Sequence, residues 1–116
     1  MGKLLTSTAL SLTTIATYAE VGSIRVLDNC SEILIQFYET DGEDVTYKIC
    51  GRNTEDGSDD GYDFDIPNSA DNTEFSLTGD GMDYAVILEG WVWLVIKAKD
   101  AVAGTHGTIN FVATAK

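Results

Sequence analysis

Apolar and polar side chains alternate along most of this chain, in runs of five to nine residues broken by Gly, Asp and Asn. A period of two is the mark of a strand with one buried face. Gly22–Leu27 sets Ile24 and Val26 on one face, and Glu32–Glu39 sets Ile33, Ile35 and Phe37 against Glu32, Gln36 and Tyr38. Asp44–Cys50 repeats the scheme, with Val45, Tyr47 and Ile49 against Asp44, Thr46 and Lys48, which predicts a hairpin with Glu32–Glu39 around Thr40-Asp41-Gly42-Glu43. A short strand follows at Glu74–Leu77, then the turn Thr78-Gly79-Asp80-Gly81 and a strand at Asp83–Glu89 with Tyr84, Val86 and Leu88 facing one way. Trp91–Lys99 is the most apolar segment, and Thr108–Ala115 carries Ile109, Phe111 and Ala113 inward. The pattern predicts an all-β fold, an antiparallel β-sandwich of jelly-roll or Ig-like type with about seven to eight strands.

Two stretches depart from the alternation. Residues 51–65 read GRNTEDGSDDGYDFD, a long polar loop. Lys3–Tyr18 is rich in Thr, Ser, Leu and Ile and has no Gly or Pro, so it favours extended backbone, yet neither of its faces is cleanly apolar. Residues 1–20 are therefore read as an extended N-terminal arm that pairs outside its own domain, or else as the first strand of the same sheet; residues 21–116 form the sandwich. Ser and Thr interrupt the opening residues too often for the apolar centre of a signal peptide.

A chain of 116 residues suits one domain, and 44% hydrophobic residues are ample for a core. Seven Lys and Arg against nineteen Asp and Glu give a net charge of −12, the wrong sign for gripping phosphate backbones. No run approaches the ~20 apolar residues of a membrane span. Nucleic acid and membrane are thus not expected as partners.

Candidate chemistry is sparse. The single histidine, His106, sits in a glycine-flanked turn, a poor place for a general base. No nucleophile elbow, phosphate loop or zinc-protease motif is present, so neither catalysis nor a cofactor is expected. Fifteen of the nineteen acids lie between Glu39 and Glu89, an abundance that reads as a solvated surface rather than a catalytic pair. Asp56-Gly57-Ser58-Asp59-Asp60-Gly61 matches the first half of an EF-hand loop, but Pro67 stands where the bidentate Glu belongs. A different calcium loop, using Asp56, Ser58, Asp60 and the Tyr62 carbonyl, is the remaining form of that reading. With the predicted hairpin, the residue opposite Cys30 is near Asn53, so Cys30 and Cys50 come close without perfect register; a disulfide and two separate buried thiols both fit. Asn29-Cys30-Ser31 is a glycosylation sequon, with meaning only in an exported chain.

On Trp91–Lys99 the alternation puts Val92, Leu94, Ile96 and Ala98 on one face and Trp91, Trp93, Val95, Lys97 and Lys99 on the other. Two apolar faces cannot both meet one core, so the second is covered by the arm or a loop, or is offered to a partner. Trp91 and Trp93 are the leading interface candidates, with Leu4, Leu10, Leu12 and Ile15 of the arm. The tryptophan pair also fits a carbohydrate platform.

The run Tyr84-Ala85-Val86-Ile87-Leu88-Glu89-Gly90-Trp91-Val92-Trp93-Leu94-Val95-Ile96-Lys97-Ala98-Lys99, followed by a Gly-Thr turn and Thr108-Ile109-Asn110-Phe111-Val112-Ala113, resembles small β-sandwich virion proteins of tailed bacteriophages, the head decoration or capsid cement type. That resemblance implies a non-enzymatic, acidic oligomer on the capsid surface, bridging major capsid protein subunits and gripping the shell with its arm. The alternative is a subunit of an extracellular appendage, a filament, tail tube or fibre assembled by strand exchange.

Overall fold

The computed structural model describes residues 3–6, 9–26, 31–53, 63–88 and 90–116; of Lys3 and Leu4 only the backbone is considered. Among these residues there are ten strands and no helix: β1 (Lys3–Leu4), β2 (Leu10–Thr13), β3 (Ala19–Arg25), β4 (Ile33–Glu39), β5 (Val45–Arg52), β6 (Phe64–Asp65), β7 (Phe75–Leu77), β8 (Met82–Ile87), β9 (Trp93–Asp100) and β10 (Thr108–Ala115). β1 and β2 occupy successive stretches of one edge of β10, and β6 and β7 share one edge of β5. Ten strands therefore fill eight places in two antiparallel sheets. The first sheet runs β1/β2, β10, β4, β8, and the second β3, β9, β5, β6/β7. First and last places lie side by side, as do second and seventh, which is the jelly-roll order. Of the two sandwich types predicted, this is the one formed.

Alternation decides which side chains meet between the sheets. Ile33, Ile35 and Phe37 of β4 and Ile109, Phe111 and Ala113 of β10 face Val45, Tyr47 and Ile49 of β5 and Leu94, Ile96 and Ala98 of β9, all buried. The rings of Phe37 and Tyr47 stack across the gap, centroids 4.3 Å apart at 28°, and Phe111 lies 6.2 Å from Phe37.

The predicted hairpin does not form. β4 pairs with β10 and β8 while β5 pairs with β9, β6 and β7, so residues 40–44 arch from one sheet to the other. The apolar faces explain why: with Thr40-Asp41-Gly42-Glu43 as the turn, Phe37 falls opposite Thr46 and Tyr47 points to the other face, whereas the arch lets Phe37 and Tyr47 bury each other. Residues 3–4 and 10–13 pair with β10 of their own chain, with Leu10 and Leu12 packed against the core. β3 starts earlier than the periodicity suggested, because a register shift between Glu20 and Gly22 lets Val21 and Ile24, three apart, both turn inward. β9 begins at Trp93 rather than Trp91; the preceding chain is held irregularly, Val92 N–H donating to Asn53 Oδ1 (3.0 Å) and its carbonyl accepting from Val26 N–H (3.0 Å).

Candidate functional site

β8 closes one side of the first sheet, and among the described residues nothing pairs with its outer edge. The N–H of Tyr84 turns away from β4 and donates to its neighbour Asp83 Oδ1 at 2.8 Å, so Met82, Tyr84 and Val86 are the residues whose backbone groups point to the open edge. Asp83 points inward, where its other oxygen accepts from Tyr47 OH at 2.7 Å and ties the two sheets together. Burial, and then the Asp83 carboxylate, raise the Tyr47 phenol above its ordinary pKa. Beside this edge the sandwich gapes: a cleft of about 520 Å³ runs between β8 and the 66–75 segment, with Tyr47, Ile49, Ile66 and Phe75 in its wall.

The outward faces of the two sheets differ in chemistry. On the first sheet, β8 presents Met82, Tyr84 and Val86, exposed by 72, 68 and 47%, with Leu88 (71%) just beyond. β4 presents Leu34, Gln36 and Tyr38 beside them in register. β10 adds Thr108, Asn110, Val112 and Thr114, and β2 adds Ser11 and Thr13. None of these twelve strand positions is charged. The outward face of the second sheet instead carries Arg25, Lys48, Arg52, Lys97 and Lys99, five of the seven cations in the chain. Asp63 lies over that face. Arg52 reaches it through Nε (2.6 Å) and Nη2 (2.9 Å), and Lys97 Nζ stands 2.8 Å away. Burial alone would raise the Asp63 carboxyl, but hydrogen bonds from Arg52 and Lys97 outweigh it and hold the pKa below the ordinary value.

This face also answers the question of the doubly apolar strand. Val95 and Cys50 point outward yet are fully buried, and Arg52 is 4% exposed; among the described residues Asp63, Asp65 and the Tyr18 ring, held beneath Lys48 (4.5 Å) and Lys99 (4.9 Å), lie over it. Trp93 is half-buried under the Arg25 guanidinium, 5.6 Å from its centroid. Trp91 does not share that face. Its indole turns onto Gly51 and stacks on Phe64 at 5.7 Å, packed against the core. Of the arm candidates, Leu10 and Leu12 face the core and Ile15 is half exposed, while Leu4 pairs its backbone with Thr114.

Among the described residues Cys50 is a free thiol, its Sγ 3.3 Å from Asp65 Oδ1. Burial, reinforced by Asp65, pushes its pKa up to about 12. Cys30, the sequon and the calcium loop at Asp56, Ser58, Asp60 and Tyr62 lie outside the described residues, and among those described no group of three acids, cysteines or histidines is placed to hold a metal. His106 is bonded to Asp100 (3.0 Å), and the Thr14 hydroxyl donates to the same carboxylate at 2.6 Å. The hydroxyl thus meets the acid and not the imidazole, so the three groups join loops and leave no activated nucleophile.

Two buried acids escaped the sequence reading. Glu39 accepts backbone N–H groups from Asp41, Glu43, Asp80 and Thr108, fastening the arch to the β7–β8 turn and the start of β10. Asp100 accepts from Gly104 N–H as well as Thr14. An acid closing an apolar strand was the available signal.

No family model matches the chain, and no curated protein matches it. Among solved structures, a Bacillus endospore appendage, described as one of a novel family of disulfide-linked pili, is similar to it with a TM-score of 0.48 and 12% identity, over 100% of this chain and 90% of that one.

Proposed function

We propose that this chain is a non-catalytic structural subunit of an extracellular filament, joined copy to copy by addition of a strand. The observation that carries this reading is the β8 edge: a six-residue strand whose outer backbone has no partner among the described residues, beside an open cleft, bearing exposed Met82, Tyr84 and Val86. Such an edge is a template for another chain unless it is blunted. Among the described residues blunting is confined to one N–H, the Tyr84 amide that Asp83 caps. Up to about five new backbone hydrogen bonds at ~0.5–1.5 kcal/mol each amount to ~2.5–7.5 kcal/mol. That is comparable to the ~4–15 kcal/mol cost of associating two molecules, so burial of the apolar side chains must contribute the remainder.

Val86→Pro tests the reading. It removes an edge-facing N–H while leaving the ladder to β4 intact. The purified chain is expected to form filaments with helical order in negative-stain micrographs, and the variant to form none while unfolding at the same temperature. Filaments that persist in the variant, or a wild-type chain that coats emptied capsids with icosahedral order and never polymerises alone, would refute it.

A further inference from the structure

An edge that accepts a strand needs an edge that supplies one, and among the described residues the open sides other than β8 belong to β1/β2, β3, β6 and β7. β6 and β7 are only two and three residues long. β3 is longer, but it carries Glu20 and Arg25, and the register shift between Glu20 and Gly22 breaks the spacing of its backbone groups, a device that blunts an edge. β2 has neither defect: Leu10–Thr13 contains no charged residue and pairs with β10 without a shift. We propose that β2 of one copy adds to β8 of the next, so that the first sheet runs on from subunit to subunit; this names the donor for the strand addition argued above and rests on it.

Strand direction favours the junction. β8 and β10 each run antiparallel to β4 and so run the same way, and β2 runs against β10. A second copy set beside the first without being turned over therefore brings β2 to β8 antiparallel, the more stable form of pairing. The open backbone groups match as well. Thr14 N–H donates to the Gly107 carbonyl at 2.8 Å, so by alternation Leu12 and Leu10 turn their backbone groups to β10, while Ser11 and Thr13 turn theirs to the open side, as Met82, Tyr84 and Val86 do on β8.

Side chains agree on both faces. Residues opposite one another in a ladder point the same way, and Ser11 and Thr13 are exposed on the outer face, as are Met82, Tyr84 and Val86. On the inner face the second copy's Leu10 and Leu12, only partly covered by their own core, come to the side of β8 where the cleft opens onto Ile66 and Phe75. β2 brings no charge, and the one acid of β8, Asp83, points inward to Tyr47 OH, so like charges do not face each other across the seam although each copy carries −12. Two unlike edges joined head to tail leave one of each free, and growth does not stop at two copies.

Complementation tests the pairing. Ser11→Pro removes an open N–H of β2, as Val86→Pro removes one of β8, and each leaves the ladder within its own sheet intact. Either chain alone is expected to be monomeric in sedimentation velocity at hundred-micromolar protein, with the wild-type unfolding temperature. Mixed, each supplies the edge that the other lacks, and a one-to-one heterodimer that grows no further is expected. Thr13→Pro replaces Ser11→Pro if that chain does not fold. Filaments or dimers of Ser11→Pro alone, or a mixture of two folded chains that stays monomeric, would overturn the pairing. Where Ser11→Pro still forms filaments and Val86→Pro does not, addition at β8 stands and only its donor is wrong. Filaments of Val86→Pro would overturn the reading beneath both.

Discussion

Glu39 offers a sharp measure of how one side chain organises this fold. It is 3% exposed, and its two oxygens divide four backbone donors: Asp80 (2.9 Å) and Glu43 (3.1 Å) on Oε1, Asp41 (2.8 Å) and Thr108 (2.9 Å) on Oε2. A glutamine in its place would match its shape and keep one carbonyl oxygen, so two N–H groups would retain an acceptor. The other two would face an NH₂. Each buried donor left unsatisfied costs about 1–3 kcal/mol, so Glu39→Gln is expected to lose about 2–6 kcal/mol, a large share of the ~5–15 kcal/mol typical of a domain. Urea unfolding followed by tryptophan fluorescence measures it. Acid adds a second arm. Burial works against the charged form, but the four backbone donors outweigh it and hold the Glu39 pKa below its ordinary value. Its contribution is therefore complete above the unfolded pKa of about 4.3 and is lost as pH falls from there through the folded pKa. The gap between wild type and Glu39→Gln should narrow over that window. A loss under about 1 kcal/mol at pH 7, or a gap that holds constant into acid, would refute the reasoning.

Three further outcomes follow from the same structure. A Cβ on Gly51 would overlap the Trp91 indole, so Gly51→Ala should drive the ring outward, red-shift tryptophan emission and cost about 1–3 kcal/mol; an unchanged spectrum contradicts the placement. Asp63→Asn removes the charge between Arg52 and Lys97, whose side chains are 5 and 21% exposed, and should destabilise by about 3–5 kcal/mol in denaturant titration at pH 7. In a Cys30→Ser background, Cys50 should react with an aromatic disulfide reagent only as fast as the chain opens, since burial and Asp65 keep the thiol protonated; rapid native labelling would contradict this.

The strand pattern of β4, β5 and β10 was legible because each has one apolar face and one polar face, and all three bury the side the alternation named. Pairing was not legible. Alternation within each strand does not name its partner, and what selects the arch between β4 and β5 is long-range: Phe37 against Tyr47, with Glu39 gathering backbone donors from three separate segments. For β8 the alternation named a shared face without saying which side it takes. Tyr84 and Val86 share the outer face, with Leu88 exposed just beyond the strand, because Asp83 finds Tyr47 inside and Ala85 and Ile87 go to the core. The tryptophans invited attention by their rarity, and the same rarity hid that Gly51 offers Trp91 a seat on the inner side.

The pairing of β1 and β2 with β10 carries a consequence for how the molecule comes into being. Residues near the start of the chain find their neighbours about a hundred positions later, and the central ladder partner of β4 is again that final segment. A ribosome must release residues 108–115 before either edge of that ladder can zip, so residues 3–13 wait through some hundred positions of synthesis for their partner, and the sheet closes slowly.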